Sequence, residues 1–190
     1  MESLRDSLYP VPEELNELDW KSALSEKSER LAQHISAFSN YKGGGVLVYG
    51  VRNDGTCIDL SKAEMDNIIE KLGNIAKNNL AYSITIDHSV MEFEGHALLF
   101  IYIPEQKDKP VYLRGHDIYD SYYRSAGQTV KMARNQVKAM IAESQGITFE
   151  QQIAKEHLTS GEVLQLLDLG GYSRTVITGG DGLVVYDDAA

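Results

Sequence analysis

The chain has 190 residues and 21.1 kDa, with 43% hydrophobic and 24% charged residues, the make-up of an ordinary globular domain with a sizeable core. Its longest apolar run, Ala97 to Ile103, is too short to cross a bilayer, and the single Cys57 excludes an internal disulfide and a cysteine-based zinc site. Eighteen basic residues against 28 acidic ones give a net charge of −10, which argues against a general coater of nucleic acid.

The stretch from Met1 to Leu15 holds acidic residues and two prolines but no apolar block, so no secretory signal is read and a soluble, cytoplasmic protein is expected. Leu18-Asp19-Trp20-Lys21 alternates like a short strand with Leu18 and Trp20 turned inward. A helix capped at Ser22 or Ser25 runs to about Ser39, with Leu31, Ile35 and Phe38 at i, i+4, i+7. Asn40 to Gly45 ends it with residues that tolerate positive φ. Val46 to Val51 reads as a strand, Asn53-Asp54-Gly55 as a turn, and Cys57 to Leu60 as a returning strand.

Ser61 and Glu64 form a capping box. The helix it opens shows Met65, Ile68, Ile69, Leu72, Ile75 and Ala76 on one face and stops near Asn78-Asn79. Ser83 to Phe93 and His96 to Ile103 pair around Glu94-Gly95, the second arm apolar enough for a central strand. Pro104 to Pro110 is a charged loop. Val111 to Leu113 and Tyr119 to Arg124 are strands, Gly127 is a turn, and Asn135 to Glu143 is a helix stopped by Gln145-Gly146. The fold class is therefore α+β: a mixed, mainly antiparallel sheet with flanking helices. Residues 1–146 form the domain. Residues 147–190 are an extension with one short helix, Ser160 to Leu169, and a glycine-rich, peripheral, partly mobile tail.

Charge is unevenly spread. Residues 105–140 carry seven basic and four acidic side chains, a local excess in an acidic body that suits local contact with a polyanion. Phosphate-loop, G-x-G-x-x-G and G-x-S-x-G motifs are absent, and the five histidines show no metal-ligand spacing, so each is read as an ordinary surface or half-buried residue. Gly43, Gly44 and Gly45 permit a sharp reversal and close backbone approach, and their N–H groups could meet a phosphate. Asn40 stands beside them, or caps the helix in the left-handed conformation. Asp19 and Lys21 share a strand face, where a simple ion pair accounts for both.

Taken in order, Leu18-Asp19-Trp20-Lys21, Ser36-Ala37-Phe38-Ser39-Asn40, Gly43 to Val51, Lys109-Pro110-Val111-Tyr112-Leu113 and Tyr122 to Thr129 form a compound pattern that resembles the Schlafen AlbA-like domain. That family is also described as divergent AAA-type, and as a DNA-binding domain of bacterial regulators. The resemblance covers about residues 13–169. It implies a nucleic-acid-binding regulatory module with DNA or RNA as partner and no membrane, and a regulator of this kind could form a homo-oligomer. Lys21, Lys109, Arg114, Tyr123, Arg124, Lys131 and Arg134 are the expected nucleic-acid contacts, with Asn40, Gly43, Gly44 and Gly45 as the phosphate-approach loop. Tyrosine and arginine surfaces suit stacking and phosphate contact, although these tyrosines also fit half-buried sheet positions.

One alternative is a Schlafen-type endoribonuclease, in which Glu14, Asp19 and Asp54 would hold Mg²⁺ or Mn²⁺ to activate water. This sequence departs from that pattern, with Arg52 and Asn53 following Gly50-Val51 before Asp54. A further alternative, suggested by the AAA-type label, is an ATP-binding module.

Overall fold

The computed structural model describes residues 2–9, 12–145, 174–179 and 182–187. The chain divides into two compact units, Met1–Thr148 and Phe149–Ala190. No helix among the described residues is long and apolar enough to cross a membrane.

The first unit is built on a four-stranded mixed sheet in the order β1-β2-β4-β3. β1 (Leu18–Lys21) runs parallel to β2 (Gly45–Tyr49), and β2 runs antiparallel to β4 (His96–Ile103). β3 (Asp87–Phe93) closes the sheet as an edge, antiparallel to β4 in unbroken register from Asp87↔Tyr102 to Phe93↔His96. This is the α+β architecture expected of the sequence.

Strand alternation assigns side chains to two cores. On one face Leu47, Tyr49, Leu99, Ile101 and Ile103 lie under α2 (Ser28–Asn40) and α3 (Lys62–Asn78). The helical stripes meet them: Leu31, Ile35 and Phe38 from α2, and Met65, Ile68, Leu72, Ile75 and Ala76 from α3. On the other face Leu18, Trp20, Val48 and Leu98 are covered by Leu4 and Leu8 of α1 (Glu2–Leu8), a helix the sequence reading did not anticipate.

Where the expected boundaries differ, tertiary contacts decide. α2 starts at Ser28 rather than after Ser22 or Ser25, because residues 22–27 carry the chain over α3, where Lys71 donates to the Ser25 and Glu26 carbonyls. In the expected strands Cys57 to Leu60 and Val111 to Leu113, only Cys57, Tyr112 and Leu113 form isolated bridges. The capping box stands as read: Ser61 Oγ accepts from Glu64 N–H, and the Glu64 carboxylate accepts from Ser61 N–H. β5 (Tyr122–Ser125) and β6 (Gln128–Lys131) form a hairpin, followed by α4 (Arg134–Ser144).

In the second unit β7 (Arg174–Gly179) and β8 (Gly182–Asp187) make an antiparallel hairpin. Within the glycine-rich tail, these strands carry the β-branched runs on either side of Gly179-Gly180-Asp181-Gly182, a recognisable hairpin signal. The expected Ser160 to Leu169 helix lies outside the described residues.

Candidate functional site

The densest polar cluster sits where β1, α2 and the β5–β6 hairpin meet. Asp19 is fully buried although it lies on a strand, so its charge must be matched inside the protein. Lys21 Nζ lies 2.5 Å from Asp19 Oδ1 and 3.0 Å from Glu14 Oε1, and Arg124 Nη1 lies 3.2 Å from Asp19 Oδ2.

Arg124 commits all five of its N–H donors. Nε donates to Asn16 O, Nη1 to Asp19 Oδ2 and Thr129 Oγ1, and Nη2 to the carbonyls of Leu15 and Gly127. Its guanidinium also lies 4.6 Å from the centre of the Phe38 ring. The expected phosphate contact is therefore corrected: Arg124 is a buried clamp between the hairpin and the segment before β1. Gly127 completes the clamp. It holds φ +74°, gives its N–H to Asn16 Oδ1 at 3.0 Å, and would drive a Cβ into Glu14 O.

His34 Nδ1 is 3.0 Å from Thr129 Oγ1 and 3.6 Å from Asp19 Oδ2, and the side chain is 8% exposed. Burial lowers its pKa to about 4 against the pull of Asp19, so at neutral pH the ring is uncharged. Burial also drives the Asp19 carboxyl up, but Lys21 and Arg124 outweigh it and leave the carboxyl below its ordinary range. Glu14 moves the other way, raised by burial and by the Asp19 charge.

The carboxylate trio of the nuclease alternative does not assemble. Glu14 and Asp19 come together, but the Lys21 ammonium stands between them where a cation would sit. Asp54 remains on its exposed turn, accepting from Thr56 N–H at 2.9 Å, in a hollow lined with Leu8, Tyr9 and Glu94. Among the described residues no group of three His, Cys, Asp or Glu side chains could hold a metal. The residues present do not fit a Mg²⁺ or Mn²⁺ site.

The glycine loop is likewise occupied from within. Glu105 Oε2 accepts from Gly43 N–H at 2.7 Å while Oε1 pairs with Lys109 Nζ at 2.6 Å, so the chain's own carboxylate takes the place proposed for a phosphate. Gly44 N–H is bonded to Tyr41 O. A Cβ on Gly44 would strike Ile103 O, and one on Gly45 the Phe38 ring, so both glycines serve close packing. Asn40 is corrected too. Its amide donates to Val111 O and Tyr122 O, both at 2.9 Å, and accepts from Val111 N–H at 2.7 Å. With Ser36 Oγ, which donates to Val111 O at 2.8 Å, it latches α2 to two distant segments.

The remaining expected contacts lie at the surface. The Arg134 guanidinium sits 4.6 Å over the Tyr119 ring, Lys131 pairs with Asp120, and Arg114 Nε donates to Leu80 O at 3.0 Å. Met132 N–H bonds Ser121 O, which draws Lys131 and Arg134 to the 117–121 turn. Tyr123 is half-buried on β5. The residues that sequence reasoning missed are His34, Ser36, Asn16 and Thr129. Only His34 carried a signal, a polar side chain three residues after Leu31 within an apolar stripe.

The family described as Schlafen, AlbA_2 matches residues 14–133, and the chain belongs to it. No curated protein matches the chain. Among solved structures it is similar to the DIP2311 protein from Corynebacterium diphtheriae, with 16% identity and a TM-score of 0.46. That match covers 68% of this chain and 24% of the other, so this chain spans about a quarter of that protein. It is also similar to the N-terminal domain of a RecG-related protein from Nitrosomonas europaea, with 22% identity and a TM-score of 0.49 over 69% of this chain and 91% of that one.

Proposed function

We propose that the domain is a nucleic-acid-binding regulatory module whose contact surface is the exposed face around Tyr119, Lys131 and Arg134, with Arg114 at its margin. The observation that carries this reading is the Arg134 guanidinium resting on Tyr119. A ring paired with a cation offers a base a stacking partner and a phosphate a counter-charge. Lys131 is held only by an exposed pair with Asp120, and such pairs contribute little, so a phosphate can displace the carboxylate. Membership of the Schlafen, AlbA_2 family supports the same reading. Lys21 and Arg124 are engaged with the buried Asp19 and take no part in it, and Lys109 pairs with Glu105 beside Gly43.

Fluorescence anisotropy with labelled single-stranded RNA, single-stranded DNA and duplex DNA tests the proposal. We expect a complex that weakens with salt, and a loss of about fivefold or more in affinity for Arg134→Ala. Lys62→Ala, on the distant start of α3, serves as the control and keeps wild-type affinity. Absence of a salt-sensitive complex with all three probes, or full affinity in Arg134→Ala, would overturn it.

A further inference from the structure

The outer edge of β3 is the least protected part of the sheet. Residues Asp87 to Glu92 are all exposed, with Val90 at 52% and Met91 at 39%, and among the described residues no strand pairs with that edge. Natural edges are usually blunted by proline, lysine or a bulge. β3 has none of these: its sequence is Asp-His-Ser-Val-Met-Glu-Phe, its only carboxylates, Asp87 and Glu92, stand toward its two ends, and its register with β4 is unbroken over seven residues.

We infer that this edge is a self-association surface, where β3 pairs antiparallel with β3 of a second copy about a twofold axis at Val90. A twofold perpendicular to the sheet keeps each side chain on its own face, so only registers pairing residues of like parity are allowed. The register centred on Val90 pairs all seven residues. It sets His88 opposite the second copy's Glu92, an imidazole–carboxylate pair formed twice, with Val90 opposite its own counterpart between them. Centring on Ser89 would instead oppose His88 with Val90, and centring on Met91 would oppose Val90 with Glu92.

The opposite face supports the same register. Ser89 lies across from Phe100, and beside them a hollow of about 320 Å³ opens next to Val46 and Tyr102. Pairing about Val90 brings the second copy's Met91 opposite Ser89. The small serine leaves room for the flexible thioether to lie over it toward Phe100. The two four-stranded sheets then continue as one of eight. A seven-residue edge is smaller than a standard interface of roughly 1,600 Å², so the dimer depends on concentration.

Sedimentation velocity of the full chain, from low micromolar to near-millimolar concentration, reads this directly. The mass should rise from 21.1 kDa toward twice that value. Val90→Lys sets two cations face to face at the axis and should weaken the dimer about tenfold or more. His88→Glu should do the same, and the exchange His88→Glu with Glu92→His should restore it. Because opposed residues in an antiparallel pair lie about 5 Å apart, Val90→Cys should give a disulfide-linked dimer on mild oxidation, whereas Glu92→Cys should not. Circular dichroism confirms that each variant is folded. A chain that stays monomeric throughout would overturn the inference and leave the edge open to a foreign strand. A dimer that survives Val90→Lys, or an exchange that fails to restore association, would overturn it as well.

Discussion

Arg124 illustrates how a side chain can look like a ligand contact and be a structural fastener. Its five donors are matched one for one, and the carboxylate it neutralises is fully buried. Removing it leaves Asp19 Oδ2 without its guanidinium, with Lys21 alone on Oδ1, and breaking a buried pair costs up to about 3–5 kcal/mol. Arg124→Lys does not rescue this, because an ammonium has three donors on a point rather than five on a fork. Urea denaturation should place Arg124→Ala and Arg124→Lys several kcal/mol below wild type; stability near wild type in the lysine variant would refute the clamp. His34 makes the same cluster sensitive to acid. In the unfolded chain it takes up a proton below its ordinary pKa of about 6.5, whereas the folded ring resists until about pH 4. Unfolding therefore gains a proton across that window, and stability falls as pH drops from about 6.5 to about 4, by up to about 3 kcal/mol. Above the window both states are neutral and the effect vanishes. Asp19, held low by Lys21 and Arg124, loses its contribution only at lower pH. Urea midpoints measured against pH should show this slope in wild type and a flatter one in His34→Gln.

At the scale of elements, the glycine loop separates two kinds of constraint in adjacent residues. Gly43 holds φ +83° with open space around its missing side chain, so Gly43→Ala bears only left-handed backbone strain, about 1–2 kcal/mol. Gly44 holds φ +74°, and its Cβ would meet Ile103 O and come within 2.7 Å of Glu105 N, backbone atoms that cannot rotate aside. Gly44→Ala should therefore cost clearly more, about 3 kcal/mol or above, by chemical denaturation. Equal losses would mean that the loop yields where the structure has it locked. The elements legible in the sequence are those whose signal is local: the Ser61–Glu64 cap, the Leu31-Ile35-Phe38 stripe and the apolar β4. The Asn40 and Ser36 latches were not legible, because their partners lie 71 to 86 residues away and an Asn at a helix end fits a cap equally well.

For the molecule as a whole, the net charge of −10 describes the surface poorly, since the cations of residues 105–140 divide into internal and external sets. Arg124 faces inward partners and Lys109 pairs with the exposed Glu105, while Arg114, Lys131 and Arg134 make up the face proposed for a polyanion. Three phosphate contacts correspond to a slope of about −2 in log affinity against log salt for a single strand, a shallow dependence that the anisotropy titration can measure. The candidate site was half legible for the same reason. Glu14, Asp19 and Lys21 are close along the chain, but neither the failure of Asp54 to join them nor the inward turn of Arg124 follows from spacing. The two-sided sheet has an optical consequence. Trp20 is the chain's only tryptophan, and it is buried beneath α1, on the side away from α2 and α3. Its emission reports on one layer, whereas most of the described helical residues, those of α2 and α3, lie on the other. Melting followed by both signals thus reveals whether the sheet transmits cooperativity from face to face or allows the α1 side to open first.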